Sequence, residues 1–190
     1  EPVDEIVAVG IEVTLEPATI DGAVAYISAG NAWIMRGASG DRRPLTSSGD
    51  LDGRVFALSP DGQWLLFSRT EPDMPAEVLN RVWIVGTAIV NEEPQPAGLE
   101  SVLYAEWFRN SRQVLYSTGE RTAGAPGWSA HNDLWRAELK GLAAAGRRTG
   151  REVVRAETAL IRSPADESAY GWWGTTYSLA PDNLPRAGET

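Results

Sequence analysis

The sequence predicts an all-β fold assembled from repeated units of four antiparallel strands, and three observations carry that prediction. A turn-and-strand phrase recurs along the chain, and an Asn followed by a Trp recurs behind it. The segments on either side of the turns are rich in the β-branched and aromatic residues that suit a pleated, packed surface.

The best copy of the phrase is Leu58-Ser59-Pro60-Asp61-Gly62, followed by Gln63-Trp64-Leu65-Leu66-Phe67-Ser68. Pro presets φ for a tight turn, Asp bonds its own backbone and Gly accepts positive φ, so this turn reverses the chain between two strands. Arg54-Val55-Phe56-Ala57-Leu58 supplies the strand before it. The run after it is almost continuously apolar, as expected of a strand buried on both faces.

Upstream, Ile20-Asp21-Gly22-Ala23-Val24-Ala25-Tyr26-Ile27-Ser28 falls under Pro60 to Ser68 with a shift of 40 residues. Downstream, Arg109-Asn110-Ser111-Arg112-Gln113-Val114-Leu115-Tyr116-Ser117 lies 49 residues on and has lost the Pro-Asp pair. Ser178-Leu179-Ala180-Pro181-Asp182-Asn183 restores Pro-Asp 121 residues after the first, as if the intervening unit carried an insertion. The second marker runs in the same order: Asn31-Ala32-Trp33, Asn80-Arg81-Val82-Trp83 and Asn132-Asp133-Leu134-Trp135, with Trp spacings of 50 and 52. Those spacings are close to the roughly 40 to 50 residues of a four-stranded propeller blade. The expected units are 12–46, 54–98, 102–157 and a truncated 170–190.

Ser59 to Ser68 followed by Asn80 to Val85 resembles the TolB-like, WD-like β-propeller repeat. The preceding unit is similar to the same family, with Asn31 to Arg36 and then Gly40-Asp41-Arg42-Arg43-Pro44-Leu45-Thr46 as its closing strand. The resemblance implies a propeller of which 190 residues supply about three blades and the start of a fourth, against the usual four to eight. A chain cut from a larger polypeptide is therefore the expectation. Open blade edges would then favour self-association, unless Ile6 to Leu15 supplies a latching outer strand. The resemblance also implies an extracytoplasmic location, periplasmic or cell-surface.

Composition narrows the function. The net charge of -9 argues against nucleic acid, whose binding needs Lys and Arg on phosphates. Arg147, Arg148, Arg151 and Arg155 are read as a solvated loop. No apolar run reaches the roughly 18 residues of a membrane helix. Zero Cys excludes disulfides and thiolate metal sites.

His131 is the single histidine, and Gly127-Trp128-Ser129-Ala130-His131 is a poor imitation of a nucleophile elbow because His replaces the final Gly. Asp50-Leu51-Asp52-Gly53 is read as a turn and Glu92-Glu93 as a hairpin edge. No catalytic residue, metal or cofactor is expected. Trp33, Trp83 and Trp135 hold equivalent positions and are expected to pack between units. Trp128, Trp172 and Trp173 break the repeat, and are the expected interface residues for a protein partner or another section of the same polypeptide. The function expected is a non-catalytic interaction scaffold. The alternative is the substrate-gating propeller of a prolyl-oligopeptidase-like serine peptidase whose catalytic domain lies outside this chain.

Overall fold

A computed structural model describes residues 22–37, 40–142 and 155–162, and every regular element among them is a strand. The first sheet is a meander of β1 (Ala23–Ser28), β2 (Asn31–Arg36) and β3 (Asp41–Pro44). The second is a meander of β4 (Leu51–Leu58), β5 (Trp64–Arg69), β6 (Arg81–Gly86) and β7 (Gln95–Glu100). The third joins β8 (Val102–Trp107), β9 (Gln113–Arg121), β10 (Trp128–Ala130), β11 (Leu134–Lys140) and β12 (Arg155–Arg162), with β8 paired to β9. All pairings are antiparallel.

Four strands per unit hold for the second sheet alone, since the described residues give three strands in the first and five in the third. The extra strand is β10, built from the Gly- and Pro-rich insertion after Gly119.

The Ser59–Gly62 turn closes through local chemistry. Gly62 donates its N–H to the Ser59 carbonyl at 2.8 Å with φ +67, and Asp61 Oδ1 accepts from Gln63 N at 3.0 Å. In the third sheet Asn110 Oδ1 replaces that carboxylate, accepting from Arg112 N and Gln113 N at 3.0 Å each. The turn therefore survives loss of the Pro-Asp pair. Ser111 Oγ also accepts from Asp61 N at 3.1 Å, tying the two turns together.

Alternation along β5 sends its side chains into two cores. Leu65 and Phe67 pack with Ala32, Ile34, Leu45 and Val85 between the first and second sheets. Trp64 and Leu66 join Val82, Ile84, Val102, Val114, Tyr116 and Ala137 between the second and third. The strand is buried on both faces, as its apolar run requires. Each sheet thus lies face to face on the one before it, with β4 alongside β8. Trp107 Nε1 donates to the Ala57 carbonyl at 2.9 Å and pins those two strands.

The ladders correct one alignment. Trp33 lies opposite Tyr26, Trp83 opposite Phe67, and Trp135 opposite Tyr116. Tyr26, not Ile27, is thus the counterpart of Phe67, and the shift of 40 slips by one residue. Trp83 and Trp135 pack at the sheet interfaces. Trp33 stacks on Tyr26 with ring centroids 6.4 Å apart, on the face opposite Ala32 and Ile34 and so away from the second sheet.

A second correction concerns Asp50 to Gly53: Asp50 lies just ahead of β4, and Leu51 to Gly53 open that strand rather than forming a turn. Ladder pairing resumes at Phe56 after an irregularity, with Gly53 at φ +75. The Ile6–Leu15 segment and the unit from residue 170 lie outside the described residues.

The recurring Asn has a long-range cause. Asn31 Oδ1 accepts from Gly49 N at 2.8 Å, just ahead of β4. Asn80, fully buried, accepts from Val102 N and donates to Val102 O, both at 2.9 Å, at the start of β8. The amide holds the chain where one sheet hands over to the next.

Candidate functional site

Past its ladder with β8 and β11, strand β9 runs on to Arg121, where the chain turns through Thr122 to Gly127 into β10. Thr122 N bonds Gly127 O at 3.0 Å and Gly127 N bonds Gly124 O at 2.6 Å. Gly127 sits at φ +88, and the Ala125–Pro126 peptide is cis. In the hairpin Trp128 lies opposite Arg121 and Ala130 opposite Gly119. A Cβ on Gly119 would come within 2.5 Å of Ser129 O and 2.7 Å of Leu103 Cδ1, so only Gly lets β10 close on β9.

Trp128 is half-buried and forms a wall of a cleft of about 370 Å3, shared with Thr122, Gly124, Ala125, Pro126 and Ser129. From β4 the exposed Arg54 guanidinium lies 5.4 Å from the Trp128 ring centroid. At an exposed site such a contact contributes about 0.5–1 kcal/mol. Arg54 belongs to the second sheet and Trp128 to the third, so the hairpin is held against its neighbour. Nothing local in the sequence links these residues.

Beyond the hairpin, Asp133 is buried and organises a polar cluster. Its carboxylate accepts from Thr118 N at 2.7 Å, from Trp135 Nε1 at 2.6 Å and from the Thr118 hydroxyl. The exposed His131 places Nδ1 2.9 Å from Thr118 Oγ1. Because the single hydroxyl proton of Thr118 points at Asp133, the imidazole is left to donate to that oxygen. Activating a nucleophile needs the reverse, a base that accepts the hydroxyl proton. The cluster therefore fixes the β10–β11 junction.

Asp50 is bound through both oxygens by Arg69, at 2.7–2.9 Å. Burial alone would push its pKa up, but hydrogen bonds from Arg69 and Ser48 hold it below the ordinary carboxylate value. Asp52 accepts from Arg54 N at 2.9 Å and from the Ser68 hydroxyl. Both carboxylates serve β4 and β5, and among the described residues no group of three or more His, Cys, Asp or Glu side chains is placed to hold a metal. Glu92 and Glu93 lie in the connection between β6 and β7. Among the described residues no helix is long and apolar enough to cross a membrane.

Of the three expected interface residues, Trp128 has the surroundings given above. Trp172 and Trp173 lie outside the described residues, as do Arg147, Arg148 and Arg151.

No family model matches the chain, and no curated protein matches it. Among solved structures, Pyrococcus horikoshii acylaminoacyl peptidase (uncomplexed) is similar with a TM-score of 0.41 and 15% identity, over 68% of this chain and 20% of that one. The orthorhombic crystal form of the same peptidase gives 0.40 and 16%, over 69% and 21%. The chain spans about a fifth of the length of the solved chains it matches.

Proposed function

We propose that this chain is a non-catalytic β-propeller scaffold of the TolB-like type, whose Trp128 hairpin holds a protein partner or another section of the same polypeptide. The order of packing supports this most directly, since antiparallel sheets lie face to face in chain order with β4 and β8 side by side. Meander sheets repeated about an axis make a propeller. In this reading the three sheets are successive blades, and β10 is an outgrowth of the third.

Outgrowths on a rigid scaffold are where binding anchors reside. Trp128 combines a large ring, partial burial and a cationic neighbour, and Trp and Arg are enriched among residues that dominate interface energies. An extracytoplasmic location belongs to the same proposal and follows from the motif resemblance alone. No catalytic group or cofactor is assigned.

The test uses the intact source protein with a photo-crosslinking amino acid at position 128. A discrete protein adduct is expected there and not at position 90, where Val90 is 65% exposed. Equal adducts at both positions would remove Trp128 from the interface. Covalent labelling of the intact polypeptide by a fluorophosphonate, with hydrolysis of an acyl-peptide anilide, would replace the scaffold reading by the peptidase one.

A further inference from the structure

Alternation along the strands gives each sheet two unlike faces. One face carries the recurring Trp and the ring opposite it, as Tyr26–Trp33, Phe67–Trp83 and Tyr116–Trp135. The other carries the residues one step along each strand. These are Ala25 and Ile34 in the first sheet, and Leu66 and Ile84 with Ala57 beside them in the second. Both interfaces between sheets have the same composition. The Phe67–Trp83 face of the second sheet packs on Ala25, Ala32 and Ile34 of the first. The Tyr116–Trp135 face of the third packs on Ala57, Leu66 and Ile84 of the second. An aromatic face meets an aliphatic one each time, and the two sheets that meet follow one another along the chain.

The first sheet turns its own aromatic face away from the second. Tyr26 and Trp33 stack with their rings 18° from parallel, and Pro44 lies opposite Trp33. Val24, Met35 and Arg42 form the neighbouring row. None of these six residues is buried, and Val24 is 36% exposed. Phe67 and Tyr116, which hold the position of Tyr26 in their sheets, are 0% and 6% exposed. Apart from Arg42 the face is uncharged.

The far face of the third sheet does not match it. Where the second sheet has Ala57, Leu66 and Ile84 in a row, the third has Glu106, Leu115 and Arg136. Laying that row on aromatic rings would take two charges out of water, a cost that their attraction repays only in excellent geometry. The aliphatic faces of the first and second sheets are already covered. Among the described residues a second copy therefore offers no free aliphatic face.

We infer that the outward face of the first sheet docks a further β-sheet of the same polypeptide, one that presents aliphatic side chains to Tyr26 and Trp33. Continuity with the two existing interfaces gives the source, because both join successive sheets of one chain. Burial of apolar surface supplies the driving force, and the two rings supply most of the area. The inference rests on the face-to-face packing that the propeller reading also uses, and is independent of the Trp128 hairpin.

The test uses the intact source protein with a photo-crosslinking phenylalanine in place of Tyr26 and, separately, Val24→Cys. Peptide mapping should place the adduct of position 26 on a strand of the same polypeptide with Ala, Val, Leu or Ile at alternate positions. Alkylation of the thiol at position 24, read by peptide mass spectrometry, should be about tenfold or more slower than in a Val90→Cys control, since reaction then waits on local opening. Comparable rates at the two positions overturn the inference and leave the packing of the three sheets standing. So does an adduct to a charged loop, or to a second copy, which would make this face a dimer interface. A partner adduct at position 128 with none at position 26 also overturns the docking while keeping the hairpin reading.

Discussion

Asn80→Ala measures the device that passes the chain from the second sheet to the third. The Asn80 amide meets both polar groups of Val102, and both residues are fully buried. Truncation leaves a buried N–H and a buried carbonyl without partners, each costing about 1–3 kcal/mol, so the expected loss is about 2–6 kcal/mol. For a chain of this size each kcal/mol lowers Tm by about 2–4 °C. Urea unfolding followed by Trp fluorescence reads the loss directly.

Asn80→Asp supplies the sharper test because it keeps the shape. A carboxylate still accepts from Val102 N but opposes Val102 O with negative charge, and only its protonated form restores the donor. Burial and the facing carbonyl raise the pKa of such a group. With the folded pKa above the unfolded value of about 3.9, stability is fully present below that value and is lost as pH rises toward the folded pKa. The Asp variant should therefore approach the parent near pH 3.5 to 4 and fall well below it near pH 7. An Asn80→Ala variant within about 0.5 kcal/mol of the parent, a change typical of featureless surface sites, would refute the reasoning. An Asp variant whose deficit is flat over that range would do the same.

Gly30→Ala and Gly37→Ala separate a steric requirement from a conformational one. Both glycines have positive φ, +70 and +64, but a Cβ at Gly30 would lie 2.3 Å from Gly49 O while Gly37 has open space. Gly37→Ala should cost about 1–2 kcal/mol for the left-handed backbone, and Gly30→Ala should exceed it by about 1–3 kcal/mol of overpacking; equal urea midpoints would refute the close approach. Asp50 has a lowered pKa because bonds from Arg69 and Ser48 outweigh burial, which acts the other way. Its stabilisation is present above about pH 3.9 and lost as pH falls through the folded value, so Asp50→Asn should flatten the acid limb of a midpoint-versus-pH curve. An unchanged limb would show that the pair with Arg69 contributes nothing. Tyr116 is pushed up to about 12, by burial first and by Asp133 second. Its contribution is complete below about pH 10 and is lost as pH rises toward 12. Tyr116→Phe should remove a late phenolate absorbance step, and a step near the ordinary value would contradict the burial argument.

What was legible in the sequence follows from how far each bond reaches. The Ser59–Gly62 turn could be read because Asp61 bonds a backbone N–H two residues away, so its whole cause lies inside the motif. Its degraded copy at Arg109–Gln113 still turns because Asn110 makes the same bond, to Arg112 N. The double burial of β5 was legible in an unbroken apolar run. The first copy slipped by one residue because its true register is set across strands, by Tyr26 opposite Trp33. Strand β10 was missed because Gly- and Pro-rich composition signals a loop, whereas its pairing depends on the absent Cβ of Gly119 against Ser129 O.

The recurring Asn shows the limit most clearly. Its repetition was visible, but its purpose was not, since Gly49 and Val102 lie 18 and 22 residues from their amides. In the third unit the residue after the recurring Asn, Asp133, bonds Thr118 within its own sheet. Arg54 over Trp128 and the convergence of Arg36 and Arg43 on Thr87 belong to the same class of contact, with partners in different sheets. Such contacts leave no period and no motif. The surface proposed around Trp128 depends on one of them, so here the turns are written locally and that candidate site arises only where sheets meet.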